Sequence, residues 1–147
     1  MKKINCLVKR EKKRGSSTSP LLFGEFPTPE FEHLCEWARL GAAHVRKNGV
    51  CVEEHMQNLR VQGETKERLN ECDHWCQSCY FTEREKAVLN LSQAVSLHEC
   101  EEQSTQILKD ARRHFNIHEI VWLTLAVMAV NDWIDLQENW PEHCLQF

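Results

Sequence analysis

Two short stretches concentrate the residue types that do chemistry. The first, CDHWCQSC at residues 72–79, holds three cysteines and a histidine within eight residues. The second, NGVCVEEH at residues 48–55, sets Cys51 near the start of a predicted helix and His55 one turn further on. Residues at i and i+4 share a helix face, a helix N-terminus favours negative sulfur, and an imidazole can take or return the thiol proton. That pattern suits an activated thiolate. Glu53 and Glu54, close by in sequence, would oppose it by raising the thiol pKa if they face Cys51.

The spacing of the first stretch, Cys-x3-Cys-x2-Cys, admits three readings. It matches the cluster-binding motif of radical S-adenosylmethionine enzymes, but those need a large α/β barrel, for which this chain has neither length nor strands. Cys-x2-Cys beside histidine could hold zinc, but a fourth ligand is missing: His74 points off the cysteine face, and His98 or Cys100 would have to come from elsewhere. In the third reading Leu69, Cys72, Cys76 and Cys79 follow at i, i+3, i+7 and i+10, one face of a helix, where cysteine packs as a small hydrophobe. This packing reading is favoured, and no metal or cofactor is expected.

The elements that must position these residues are helical throughout. From Phe31 the apolar residues Leu34, Trp37, Ala38 and Val45 recur at turn spacing up to the Asn48-Gly49 break. Val52, Met56 and Leu59 mark a second helix that stops at Gly63, and a third begins at Thr65. Thr82 with Glu85, and Asn116 with Glu119, form capping boxes ahead of apolar helices, while Ile107, Leu108, Ala111 and Phe115 make one more amphipathic helix. Residues 120–130 are apolar on all sides, which predicts a helix buried in the core or shared with a second copy. No alternating strand pattern occurs. The expectation is an all-α, single-domain helical bundle of about six helices.

At 147 residues, with 41% hydrophobic residues, the chain is long enough for one domain with a core. Seven of its first fourteen residues are Lys or Arg, and residues 1–30, rich in Ser and Pro, read as a basic N-terminal segment ahead of a domain at 31–147. The formal net charge of -4 leaves no electrostatic footprint for nucleic acid on the domain. No long apolar stretch follows the N-terminal charges, and the strongest apolar run, residues 121–130, is too short to span a bilayer. A cytoplasmic location without membrane contact is therefore expected. Eight cysteines in such a chain suggest reduced thiols or redox chemistry rather than a disulfide framework.

Glu36 lies fifteen residues before Cys51, and His55 four after it. With Arg60, Gly63-Glu64-Thr65, Arg68-Leu69, Trp75, residues 81–85, His114-Phe115, residues 123–126, Asn131 and Trp133, this pattern resembles the alkylhydroperoxidase D-like, or carboxymuconolactone decarboxylase-like, family from about residue 31 to about residue 136. The resemblance implies a thiol site with Cys51 as peroxide-attacking nucleophile, His55 as general base and acid, and Glu36 orienting the imidazole. Read alone, Glu36 is a solvated helix glutamate and His55 a surface residue.

The resemblance also implies a small hydroperoxide as substrate, a thiol or lipoyl-type reductant, and a homo-oligomer. It places CDHWCQSC on the connection before the Thr82 helix. Where relatives have the first cysteine of Cys-x-x-Cys, this chain has Asn48, so another resolving thiol is needed, and Cys35 beside Glu36 is the first candidate. The missing cysteine keeps two other readings open. One is a catalytically weakened binding or regulatory protein; the other is a decarboxylase-type lyase acting on a small lactone acid with His55 as its acid-base group.

Overall fold

The computed structural model describes residues 27–140; the basic run, Cys6 and Cys144 fall outside them. Six α-helices follow in order: α1 (Pro29–Val45), α2 (Gly49–Val61), α3 (Lys66–Asn70), α4 (Glu83–Leu97), α5 (Glu101–Ala111) and α6 (Ile117–Asn139), with a 3-10 turn at Cys72–His74 and no strand among the described residues. The all-α expectation holds.

Local chemistry sets most of the ends. Helix α1 begins two residues before its apolar period, because Pro29 suits the first helical position and the Thr28 hydroxyl accepts from Phe31 N–H at 3.2 Å. Both capping boxes form, at Thr82/Glu85 and Asn116/Glu119. Gly63 takes φ +99° and lets Glu64 N–H return to Leu59 O, closing α2 as its position predicted. Helix α5 stops at Ala111, and Phe115 lies buried in the turn beyond it.

Helix α1 is the hub. It packs against α2, α4 and α6, and α4 in turn carries α5 and α6. Trp37, Leu40, Leu59, Leu89, Leu123, Val127 and Ile134 are completely or almost completely buried. The α1–α4 contact is close at Gly41, where an added Cβ would meet Ser92 Oγ at 3.0 Å, and Ser92 Oγ donates to Ala38 O at 2.6 Å. A side chain at Gly41 would push the two helices apart.

Helix α6 is only half buried. Ile120, Leu123, Val127, Val130 and Ile134 face the core, while Ile117, Leu125, Met128, Trp133 and Leu136 are exposed. The helix runs for 23 residues, beyond the ten-residue apolar run, and an 18-residue window of mean hydropathy 1.3 is long and apolar enough to cross a membrane by length and composition alone. The buried stripe shows the same helix serving as a core element.

Candidate functional site

The site is built on the seam between α1 and α2. Asn48 joins the two helices: its backbone N–H closes α1 on Ala43 O at 3.1 Å, and its side-chain oxygen opens α2 by accepting from Cys51 N–H at 3.0 Å. Cys51 is thereby fixed as the third helical residue of α2, buried, with His55 one turn on.

Across the seam Glu36, only 5% exposed, reaches His55. Its Oε1 lies 2.6 Å from His55 Nδ1 and 2.9 Å from Asn58 Nδ2, and its Oε2 accepts from Arg39 Nη1 at 2.8 Å. Burial alone would push this carboxyl up. The hydrogen bonds from His55 and Asn58, the charge of His55 and the hydrogen bond from Arg39 together outweigh it and bring the pKa down to about 2. An ionised carboxylate can only accept, so Nδ1 of His55 carries the proton and the ring is held in one tautomer. In the neutral ring Nε2 is then the nitrogen without a proton. Glu36, His55 and the Cys51 helix are thus brought together, and the solvated-glutamate alternative for Glu36 is excluded by its burial and its three partners.

The thiol itself is not strongly activated. Burial first, and then the charge of Glu54, push Cys51 up from the ordinary thiol value. Glu53 instead pairs with Arg60 at 3.1 Å. Cys35 is a poorer thiolate still: burial, reinforced by Glu32, lifts it to about 12, so it keeps its proton at neutral pH.

Sequence reasoning missed Arg39 and Asn58. Their signal was present as spacing, since Arg39 lies one turn after Glu36 and Asn58 one turn after His55, but only the packing of α1 on α2 decides that both converge on one carboxylate. Several other residues of the family pattern turn out to be structural. Glu64 accepts from His33 Nε2 at 2.6 Å and Trp37 Nε1 at 3.3 Å and pairs with Arg68 at 3.3 Å. Arg68 also binds Glu85 at 2.7 Å and lies 5.4 Å from the ring centres of Trp37 and Phe81. A cleft of about 590 Å³ opens beside this network, lined by Glu30, His33, Gln62 and Arg84 among others, and Cys51, His55 and Glu36 do not line it.

The CDHWCQSC stretch departs from its expected form. It is not one face of an α-helix: Cys72 is buried, but Cys76 and Cys79 are exposed. The segment opens as a 3-10 turn at Cys72–His74, with His74 N–H on Glu71 O at 3.0 Å and Gln77 N–H on His74 O at 3.1 Å; Ser78 N–H is shared between His74 O at 3.1 Å and Trp75 O at 3.3 Å, and the winding ends there. Cys72, Ser78 and Phe81 are buried and Trp75 half-buried, where an unbroken helix of 3.6 residues per turn would have turned Cys72, Cys76 and Cys79 inward together. Among the described residues no group of three or more His, Cys, Asp or Glu side chains is placed to hold a metal ion.

No family model matches the sequence. The chain is 26% identical over 83 residues to the uncharacterized protein YdfG of Bacillus subtilis (strain 168), a match that spans 56% of each chain, so it covers only about half the length of that relative. A crystal structure of a protein of unknown function from Agrobacterium tumefaciens, described as a candidate antioxidant defence protein AhpD, superposes with a TM-score of 0.65 at 24% identity, over 95% of this chain and 89% of that one. The fold is of that AhpD-like type.

Proposed function

We propose that this chain is a thiol-dependent, peroxide-reducing protein of the alkylhydroperoxidase D-like family that works with one thiol where its relatives use two. The observation that carries the reading is the Glu36–His55 contact of 2.6 Å, held in place by Arg39 and Asn58, one helical turn from Cys51. In this scheme Nε2 of His55 takes the Cys51 proton. The sulfur attacks the O–O bond of a small hydroperoxide, keeping one oxygen as sulfenic acid, and the proton passes from His55 to the departing alkoxide, which leaves as alcohol. A small thiol then displaces water to give a mixed disulfide, and a second thiol, or the other arm of a lipoyl-type dithiol, releases Cys51. Glu36 stays ionised throughout and holds the imidazole.

One observation favours the weakened-homologue reading. Asn48 occupies the place of a resolving thiol, and its side chain is committed to the Cys51 N–H. With the Cys51 thiol pushed up, turnover is expected to be slow. Addition of one equivalent of hydroperoxide should convert Cys51 to sulfenic acid, seen by dimedone trapping and mass spectrometry, and a dithiol should restore it. An unmodified Cys51 under these conditions sinks the peroxidase reading and leaves the binding one. The exposed residues Leu125, Met128 and Trp133 of α6 support a homo-oligomer, which light-scattering mass at micromolar concentration tests; a strict monomer rules it out.

A further inference from the structure

The buried carboxylate of Glu36 has one negative charge and a different nitrogen base on each oxygen. Oε1 lies 2.6 Å from His55 Nδ1, and Oε2 accepts from Arg39 Nη1 at 2.8 Å. The His55 side chain is only 12% exposed, so water screens these charges weakly. The guanidinium is charged at every working pH, whereas the imidazole is charged only when it takes up a second proton. Asn58 Nδ2, at 2.9 Å from Oε1, supplies a hydrogen bond but no charge. Arg39 is therefore the partner that offsets the carboxylate permanently. It is itself shared, since the same Nη1 donates to Glu32 Oε1 at 2.9 Å, with both side chains half-buried. Of the acids on α2, Glu53 pairs with Arg60 at 3.1 Å, and the charge of Glu54 bears on Cys51.

We infer that Arg39 is a positioning residue that acts through Glu36 on the charge of His55, offsetting the buried carboxylate so that a larger share of the ring stays neutral. Two protonation states compete at the pair. A neutral ring donates its Nδ1–H to the carboxylate, while a protonated ring forms an ion pair with it and gains most when nothing else offsets the anion. Arg39 takes away part of that gain. It carries no proton in this role and no bond is made or broken. In the proposed peroxidase scheme His55 enters as the neutral base, and that consequence rests on the scheme; the charge of the ring does not.

The full chain with nitrogen-15 histidine, followed by two-bond nitrogen–proton correlation spectra across the neutral pH range and assigned with His55→Gln, tests this without peroxide. In Arg39→Met the ratio of protonated to neutral His55 at a given pH should rise on the order of ten-fold, seen as Nε2 moving toward the protonated range. Arg39→Lys restores a cation and should bring the ratio back toward wild type. Glu32→Gln leaves the guanidinium to Glu36 alone and should lower the ratio, and this half-buried position decides the matter where Arg39→Met does not fold. A folded Arg39→Met with an unchanged or lower ratio, a lysine variant that matches the methionine variant, or a Glu32→Gln ratio that is unchanged or higher overturns the inference. A wild-type Cys51 that hydroperoxide leaves unmodified sinks the peroxidase reading alone and leaves the Arg39 effect on His55 standing.

Discussion

The α1–α2 seam and the 71–81 turn are two cysteine-bearing regions of the same small bundle with opposite solutions. In the seam Cys51 is buried and capped through its own N–H, and a histidine and a carboxylate of 5% exposure stand on the same seam. In the turn two thiols face water, and the third is buried and keeps its proton. The seam has a Glu36–His55 pair and Asn48 where a second thiol would stand; the turn has two exposed thiols. Under the proposed function cysteine density is a poor guide to where catalysis sits: what marks the seam is convergence of charged groups from separate helices on one side chain.

The largest expected effect comes from crossing the two regions. Cys51→Ser should abolish hydroperoxide consumption with a dithiol reductant, a loss on the order of 100-fold or more for a nucleophile, while Cys76→Ser and Cys79→Ser should leave it within about two-fold. The reverse pattern in a coupled assay would transfer the peroxide chemistry to the turn.

Next in size is the carboxylate. Glu36 has its folded pKa depressed to about 2 from 4.5, so the unfolded chain binds more protons in this range. Its contribution is fully present above about pH 4.5 and is lost as pH falls towards 2, at most about 3 kcal/mol in all. Glu36→Gln should remove that part of the acid-induced destabilisation and slow alkylation of Cys51. Urea melts from pH 6 to pH 2.5 check the first, and identical acid profiles for the two proteins would contradict the site electrostatics.

The smallest change makes the seam resemble the turn. Asn48→Cys should cost about 1 kcal/mol of stability through the lost cap. It should also create a disulfide between the introduced thiol and Cys51 under mild oxidant and raise turnover with a dithiol. A folded variant whose thiols never join would show that the N-cap and third helical positions are not placed as a resolving pair.

Much of the bundle was legible because its signals are local. The capping boxes at Thr82 and Asn116 and the stop at Gly63 involve residues three to five apart, so sequence alone contains both partners. The Cys51, His55 and Glu36 grouping was legible through spacing that resembles a family, but Arg39 and Asn58 were not, since their convergence depends on how two helices pack. The turn was misread because positions 69, 72, 76 and 79 satisfy a 3.6-residue period in sequence while the chain there is a 3-10 turn at Cys72–His74 that ends before Ser78. Residues 120–130 were read as a helix buried in the core or shared with a second copy; Ile120, Leu123, Ala126, Val127 and Val130 are buried, while Leu125, Met128 and Ala129 are exposed.

The dual engagement of Asn48 makes the connection between α1 and α2 a phase-setting device. With only residues 46–48 between the helices, and both ends hydrogen-bonded through one residue, no slack exists to absorb a change in length. Each added residue would turn α2 by about 100° about its axis, carrying His55 and Asn58 off the Glu36 carboxylate together. The spacing of fifteen between Glu36 and Cys51 is therefore a mechanical quantity, an angle written as a residue count.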